Sequence, residues 1–370
     1  MTFEVNKSGA KYSAIVSIGE ELRKRSLAEN REFLYLNRGI NQVVNIDLES
    51  VTNDLNYNDK AMQYYPAGKG KPGLRRAVNS HFFQNAAETD DIIISSGGMN
   101  ALRLTLDSLK NTDVYTYNLF WGAYGNLIKI SNKNHKFYKT YEELTEQPEK
   151  FEGSIVIICD PNNPSGEKIP DNFLLQAVDR LQKHNVTVIW DSPYRKLFTD
   201  SSDEMYKKLT NFENVIITES FSKSVGLSGQ RVGFMYSNNR AFRKEFSIRL
   251  LFSGNGVNVF GQIVVEKLLT TDAGKKAVND FRDKTTSAIQ KNISFLRKYK
   301  LLAKDLYQYN DIWGIFSIVN KPEDVLSEHG IGSVGMNYFT KDQTIDTGQF
   351  SRICTSVAHE KFKLFFEKLI

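Results

Sequence analysis

The sequence predicts an α/β protein in which a large unit is built on a mostly parallel sheet flanked by helices and a smaller unit is α+β. Two observations carry this expectation. Between positions 91 and 236, short near-continuous apolar runs alternate with helical patterns, as they do where strands are buried on both faces. Beyond Thr271 the pattern changes to one long charged helix followed by shorter strands. The expected divisions are an N-terminal arm over 1–45 that joins the smaller unit, a large ligand-binding unit over 46–272, and a connector helix with a C-terminal unit over 273–370.

Taken in order, the arm holds a charged helical stretch at 19–32 and leads into Tyr35-Leu-Asn-Arg-Gly39-Ile-Asn, where glycine permits close backbone approach. Gly68, Gly70 and Gly73 then fall in a G-x-G-x-x-G array. No strand precedes it and Pro72 interrupts the turn, so it is not a dinucleotide fingerprint. It reads as an irregular loop before a helix from Pro72 through Phe83. Strands are expected at 92–95, 114–117, 155–159, 186–190, 215–218 and 232–236, and later at 314–319 and 350–354. Helices are expected at 99–109, at 172–183 with Leu174, Leu175, Val178 and Leu181 on one face, from 271 to about 300, and from His359 onward.

Composition narrows the function classes. Hydrophobic residues make up 41% and charged residues 25% of the 370 positions, as in a soluble globular protein. A net charge of +5 without a basic tract suits anionic ligands and argues against nucleic acid. No uncharged run approaches the roughly 20 residues that span a bilayer, and the first residues lack the apolar core of a signal peptide. Cys159 and Cys354, the only cysteines, lie in apolar segments and read as reduced core residues. The expectation is therefore a cytoplasmic protein. The five histidines show no metal-ligand spacing, and no nucleophile elbow occurs.

In open parallel sheets ligands bind beyond the carboxyl ends of the strands, and polar clusters follow several predicted strands. They are Gly97-Gly98, Asn162-Asn163-Pro-Ser-Gly166, Asp191-Ser-Pro-Tyr194, and Glu219-Ser220-Phe-Ser222-Lys223, followed by Arg231-Val-Gly233. A lysine at the end of a core strand is costly to bury as an ammonium. Schiff-base chemistry with a carbonyl cofactor needs such a neutral, desolvated amine. The neighbouring hydroxyls and Arg231 suit a phosphate. Lysine and phosphate cradle together suggest pyridoxal 5'-phosphate.

With these motifs assembled, the chain resembles the class I/II aminotransferases, the aspartate-aminotransferase-like fold type I pyridoxal-phosphate enzymes, from about Gly39 to Arg352. The resemblance implies that Lys223 carries the cofactor and shuttles the substrate proton, and that Asp191 pairs with the pyridinium nitrogen. Asn163 and Tyr194 are implied donors to the ring oxygen. Ser220, Ser222, Arg231 and the amides around Gly97, Gly98 and Met99 are implied phosphate ligands. An aromatic ring from Phe120 or Trp121 is implied to stack on the cofactor, with Trp121 favoured by the Trp121-Gly122 pair. Arg352 corresponds to the clamp on the substrate α-carboxylate, with Gly39 offering backbone to it. Tyr64 or Tyr65 corresponds to a tyrosine reaching a partner subunit's phosphate, which implies a homodimer with shared active sites. Arg249 lies in a segment similar to one that reads a distal substrate carboxylate, although the spacing from Arg231 is shorter and Gly254-Asn255-Gly256 replaces prolines.

The implied reaction moves an amino group from an L-amino acid to a 2-oxo acid. A lyase, decarboxylase or amino-acid oxidase using the same cofactor is the alternative. A non-enzymatic regulator on this fold would need an N-terminal DNA-binding domain, for which the arm before Gly39 is too short.

Overall fold

A computed structural model describes residues 3–370. Among these, β1 (Leu34–Tyr35) pairs with β10 (Ile331–Gly332), and the other strands form two larger sheets. The first contains β2 (Ile92–Ser95), β3 (Asp113–Tyr117), β4 (Asn134–Tyr138), β5 (Ile155–Cys159), β6 (Thr187–Asp191), β7 (Val215–Ser220) and β8 (Gly233–Tyr236). Their spatial order is β2-β8-β7-β6-β5-β3-β4, and only β8 runs against its neighbours. The second sheet is antiparallel, with β11 (Val334–Gly335), β12 (Ser351–Cys354) and β9 (Phe316–Val319) in that order.

Alternate residues of the central strands feed two separate apolar cores. Val156 and Ile158 of β5, with Val188 and Trp190 of β6, pack into one. Ile155, Ile157 and Ile189 pack into the other. Both faces are covered, which is why these strands read as unbroken apolar runs. Helix Asp171–Lys183 covers the first face through Leu174, Val178 and Leu181, whereas Leu175 is only partly buried. The 27-residue helix Asp272–Lys298 buries Phe281 and Ile289 in the second core.

The predicted and observed elements agree closely in the core. The helix Pro72–Phe83 begins at the proline, whose missing N–H needs no partner in the first turn. Gly70 before it has φ +90°, and a Cβ there would strike Ile94, so this glycine serves packing rather than phosphate binding. The first helix lies earlier than expected, at Ala14–Ala28. β4 is not anticipated by the sequence. Its Asn-His-Lys-Phe-Tyr sequence alternates in exposure because it is the sheet edge, and a half-polar edge strand lacks the apolar run that marks the centre. Helices Ala123–Ile130, Arg240–Gly254 and Val259–Thr270 also go beyond the sequence expectation.

The strand order reverses direction between β3 and β5: β6 and β7 continue on one side, β4 on the other. Loops leaving the carboxyl ends of β3 and β5 therefore diverge and leave a crevice. Trp121 lies on one of these loops and Asn163 on the other.

Candidate active site

A cavity of about 590 Å³ opens at that crevice. Its lining unites Gly39, Gly98, Met99, Trp121, Asn163, Asp191, Tyr194, Ser220, Ser222, Lys223, Arg231 and Arg352, residues that span most of the chain.

One end is an anion cradle. Ser220 ends β7 and caps the turn Phe221–Ser224, its hydroxyl accepting from Ser222 N at 3.2 Å and lying 2.9 Å from Ser222 Oγ. Arg231 adopts the left-handed conformation (φ 53°), and its Nη1 donates to Ser228 O at 2.8 Å. The helix Gly98–Ser108 begins here, and its first-turn amides have no intrahelical acceptor. Gly97 has φ +85°, and a Cβ on it would lie 2.6 Å from Arg231 Nη2. A side chain there would be strained at this φ and would push that guanidinium aside.

The other end is a buried carboxylate. Asp191 ends β6 and is 4% exposed. Tyr124 donates its phenol to Asp191 Oδ2, and Thr218 approaches Oδ1 at 3.5 Å. Burial pushes the Asp191 pKa up to about 6, with both hydroxyl donors opposing the shift. Cys159 also lines the cavity, so it is more than core filler; both cysteines are free and buried.

In the same cavity, Lys223 Nζ donates to Gly39 O. Burial lowers the amine's pKa to about 8, aided by Arg231, Arg352 and Arg38 and opposed by Cys354. Asn163 Nδ2 donates to Tyr194 OH at 3.1 Å, and Asn163 Oδ1 accepts from Arg352 Nη1 at 3.3 Å. Arg352 on β12 is 1% exposed and sandwiched by Phe316 at 4.0 Å and Phe339 at 4.6 Å. Its Nη2 donates to Asn37 O, while Nε is buried without a hydrogen-bond partner among the described residues. Burial drops its pKa to about 10, so the guanidinium stays charged and carries an unsatisfied donor that favours an anion.

Phe120 is not at the cavity. Its ring packs on His135 and Phe137, with centroids 4.9 and 5.3 Å away, because the loop after β3 turns its side chain into the apolar core. The ring facing the cavity is Trp121. Tyr64 and Tyr65 are 64% and 84% exposed and lie outside this cavity. So does Arg249, whose side chain pairs with Glu245 one helical turn away. Sequence reasoning missed Tyr124, Arg38 and Phe316. Tyr124 sits one turn beyond Trp121 in an aromatic run that also suits core packing, and Arg38 carries no signal beyond its adjacency to Gly39.

The arrangement fits pyridoxal 5'-phosphate on the observations of this structure: a glycine-cleared anion cradle, an amine with a lowered pKa, and a buried carboxylate, all lining one cavity. No group of His, Cys, Asp and Glu suited to a metal ion occurs among the described residues. No helix among them is long and apolar enough to cross a membrane.

Comparison with known proteins bears on the family and the fold. The chain is 30% identical over 131 residues to histidinol-phosphate aminotransferase of Thermoanaerobacter sp. (strain X514), 35% of each chain. It is 25% identical over 240 residues to aspartate aminotransferase of Pyrococcus horikoshii, 60% of each. These matches span less than two thirds of either relative's length. Among solved structures, aspartate aminotransferase from Thermus thermophilus with maleate superimposes with a TM-score of 0.83 at 16% identity, covering 100% of this chain and 99% of that one. An aminotransferase from Mycobacterium tuberculosis does so with a TM-score of 0.83 at 17% identity, covering 100% and 98%. The family model "Aminotransferase class I and II" matches residues 35–369, and the chain belongs to that family.

Proposed function

We propose that this protein is a pyridoxal-phosphate-dependent aminotransferase that moves the amino group of an L-amino acid to a 2-oxo acid. The observation carrying this reading is the Lys223 amine, which lines one cavity with the Asp191 carboxylate and the Ser220–Ser222–Arg231 cradle and has its pKa lowered to about 8. When bound, the cofactor supplies an aldehyde for the amines and a ring that withdraws electrons from the substrate α-carbon.

The protein's own residues supply the rest. Asp191 holds a proton on the ring nitrogen, a role that needs its ionised form. The Tyr124 and Thr218 donors favour that form against burial. Tyr194 and Asn163, already hydrogen-bonded to one another, orient the ring from its oxygen-bearing side. Trp121, on the loop after β3, lines the cavity and would bear on the cofactor. Arg352 takes the substrate α-carboxylate through its free donor, with Gly39 beside it. Lys223 Nζ, as a free amine, would accept the α-carbon proton and hold it for return.

The same reading includes a homodimer with shared sites. Tyr65, Leu251 and Phe252 are exposed, the last to 85%. A Cβ on Gly256, just past the helix Arg240–Gly254, would touch Pro66, which sets the Tyr64–Tyr65 loop beside that helix. This helix packs on Gly98–Ser108, whose Met99 lines the cavity. An exposed apolar surface continuous with the site supports a second copy completing it, with Tyr64 or Tyr65 and Arg249 donated across. The unit over 46–272 then carries the cofactor, and the arm over 1–45 with the connector helix and C-terminal unit over 273–370 forms its smaller companion.

Stopped-flow mixing with amino acids tests the activity. Conversion of the cofactor to its amine form, reversed by a 2-oxo acid, is the expected result. Ammonia or hydrogen peroxide release without that conversion would contradict it and favour the lyase or oxidase reading.

A further inference from the structure

One buried acid stands outside the proposed reaction. Glu219 precedes Ser220 on β7 and is 0% exposed, yet it does not line the cavity. Alternation along the strand turns its side chain away from the face on which Thr218 meets Asp191. It points instead toward Tyr206, on the helix Met205–Leu209. Ser220 N donates to Glu219 Oε1 at 2.8 Å, and Glu219 Oε2 shares a hydrogen bond with the Tyr206 hydroxyl. That hydroxyl also donates to Ser192 O at 3.4 Å, one residue past Asp191. A chain of hydrogen bonds thus runs behind the sheet, from the backbone of the cradle serine to the backbone that follows the Asp191 carboxylate.

No cation neutralises this acid. Glu219 makes no ion pair among the described residues, and the neighbouring Arg195 and Lys196 are paired with Asp203 at 2.6 and 3.3 Å. An unpaired carboxylate is costly to bury. Burial pushes the Glu219 pKa well above the usual carboxylate range, and Asp191 adds to the shift, whereas Tyr206, Ser220 N and Lys196 oppose it. As an acid, Glu219 donates to Tyr206, Tyr206 donates to Ser192 O, and the second carboxyl oxygen accepts from Ser220 N. Every polar group in the chain is then satisfied without a charge. An ionised Glu219 would instead set a negative charge directly behind the cradle in which Ser220 and Arg231 face a phosphate.

We propose that Glu219 is a positioning residue for the cofactor's phosphate, an uncharged acid that fixes Ser220 N and, through Tyr206, holds the cradle in register with the backbone beside Asp191. This rests on the pyridoxal-phosphate reading of the cavity. The end of β7 has little slack to absorb a shift. A Cβ on Gly233 would lie 2.4 Å from Glu219 O, and one on Gly98 3.2 Å from Ser220 Cβ. A displaced Ser220 therefore disturbs the first turn of the helix Gly98–Ser108 as well.

The test measures equilibrium binding of pyridoxal 5'-phosphate and the phosphorus NMR line of the phosphate in the loaded protein. Glu219→Gln, uncharged and of the same reach, is expected to keep the wild-type affinity and the wild-type line. Glu219→Met leaves Ser220 N without an acceptor, and is expected to weaken binding about ten- to a hundredfold and to shift and broaden the line. A purely structural role would lower the unfolding midpoint of Glu219→Met and leave affinity and line unchanged, which overturns the proposal. Lost affinity in Glu219→Gln overturns it too, because a charge would then be required. Should Glu219→Met not fold, Tyr206→Phe decides: weaker binding with a shifted line supports the assignment, and an unchanged line overturns it. If the wild-type protein binds the cofactor and the variants match it, only the Glu219 assignment falls. If the wild-type protein takes up no pyridoxal 5'-phosphate, the aminotransferase reading falls with it.

Discussion

Lys223 shows how burial sets chemistry at a single atom. Its pKa falls from 10.5 to about 8 chiefly by desolvation. A group whose folded-state pKa is depressed stabilises the fold above its unfolded pKa and loses that contribution as pH falls through the folded value. At neutral pH the cofactor-free protein therefore carries a buried ammonium at a cost. Lys223→Met should stabilise the cofactor-free protein at pH 7 by on the order of 3 kcal/mol, from about 1.36 kcal/mol per pK unit. The gain should vanish above about pH 10.5, where both states are neutral. Denaturant unfolding at pH 7 and 10.5 checks this, and an equal effect at both would contradict it. Asp191 runs the other way, with its pKa raised to about 6. Tyr124→Phe removes a hydrogen bond to a charged group, worth about 1.5–3 kcal/mol. The Asp191 pKa should rise further, and cofactor affinity at pH 7 should fall about ten- to a hundredfold by that energy. Carboxyl titration by NMR in the cofactor-free protein and equilibrium cofactor binding read the two effects separately.

At the scale of elements, the site is built where strands stop. β6 delivers Asp191, β7 delivers Ser220 and the turn bearing Lys223, and the antiparallel β8 brings Arg231 back beside Gly97. The junction is tight: a Cβ on Gly233 would collide with Glu219 O. Gly97→Ala meets both the left-handed φ and the Arg231 guanidinium. It should weaken cofactor binding at least tenfold while leaving the helix Gly98–Ser108 in place, as phosphate-competition binding and circular dichroism would show. These elements were legible in the sequence because their strands are buried on both faces and end in hydroxyls, Asp191 and Lys223. β4 was not, since an edge strand shows water one side and interrupts its own pattern. Tyr124 and Arg38 were not, because neither spacing nor residue type distinguishes an Asp191 donor from a packed aromatic, or a cavity arginine from a surface one. The Trp121-Gly122 pair favoured Trp121 over Phe120, and the loop's actual turn was needed to set Phe120 aside.

Across the whole molecule, the cofactor-facing sheet and the Arg352-bearing sheet meet through backbone. Gly166 O accepts from Trp313 N at 2.9 Å and Gly314 N at 2.8 Å, just before β9. Glu167, also in this junction, has its pKa raised to about 7 by burial and accepts from Tyr309 N. The loop holding Asn163 is thereby fixed against the segment carrying Phe316, which stacks on Arg352. The fold could be inferred at this scale from the alternation of apolar runs and helices, whereas the surface proposed to meet a second copy could not, because exposed apolar residues are visible only after folding. Phe252→Asp on the helix Arg240–Gly254 should shift the protein from dimer to monomer in sedimentation velocity and depress activity with it. A wild-type protein that sediments as a monomer would contradict the shared-site reading.

The account rests on covalent capture of the cofactor by one amine. Borohydride reduction of the pyridoxal-phosphate-loaded protein, followed by peptide mass mapping, tests it most directly. The predicted result is a single reduced pyridoxyl adduct on the peptide containing Lys223, lost in Lys223→Ala. No adduct, or one on another lysine, would contradict it.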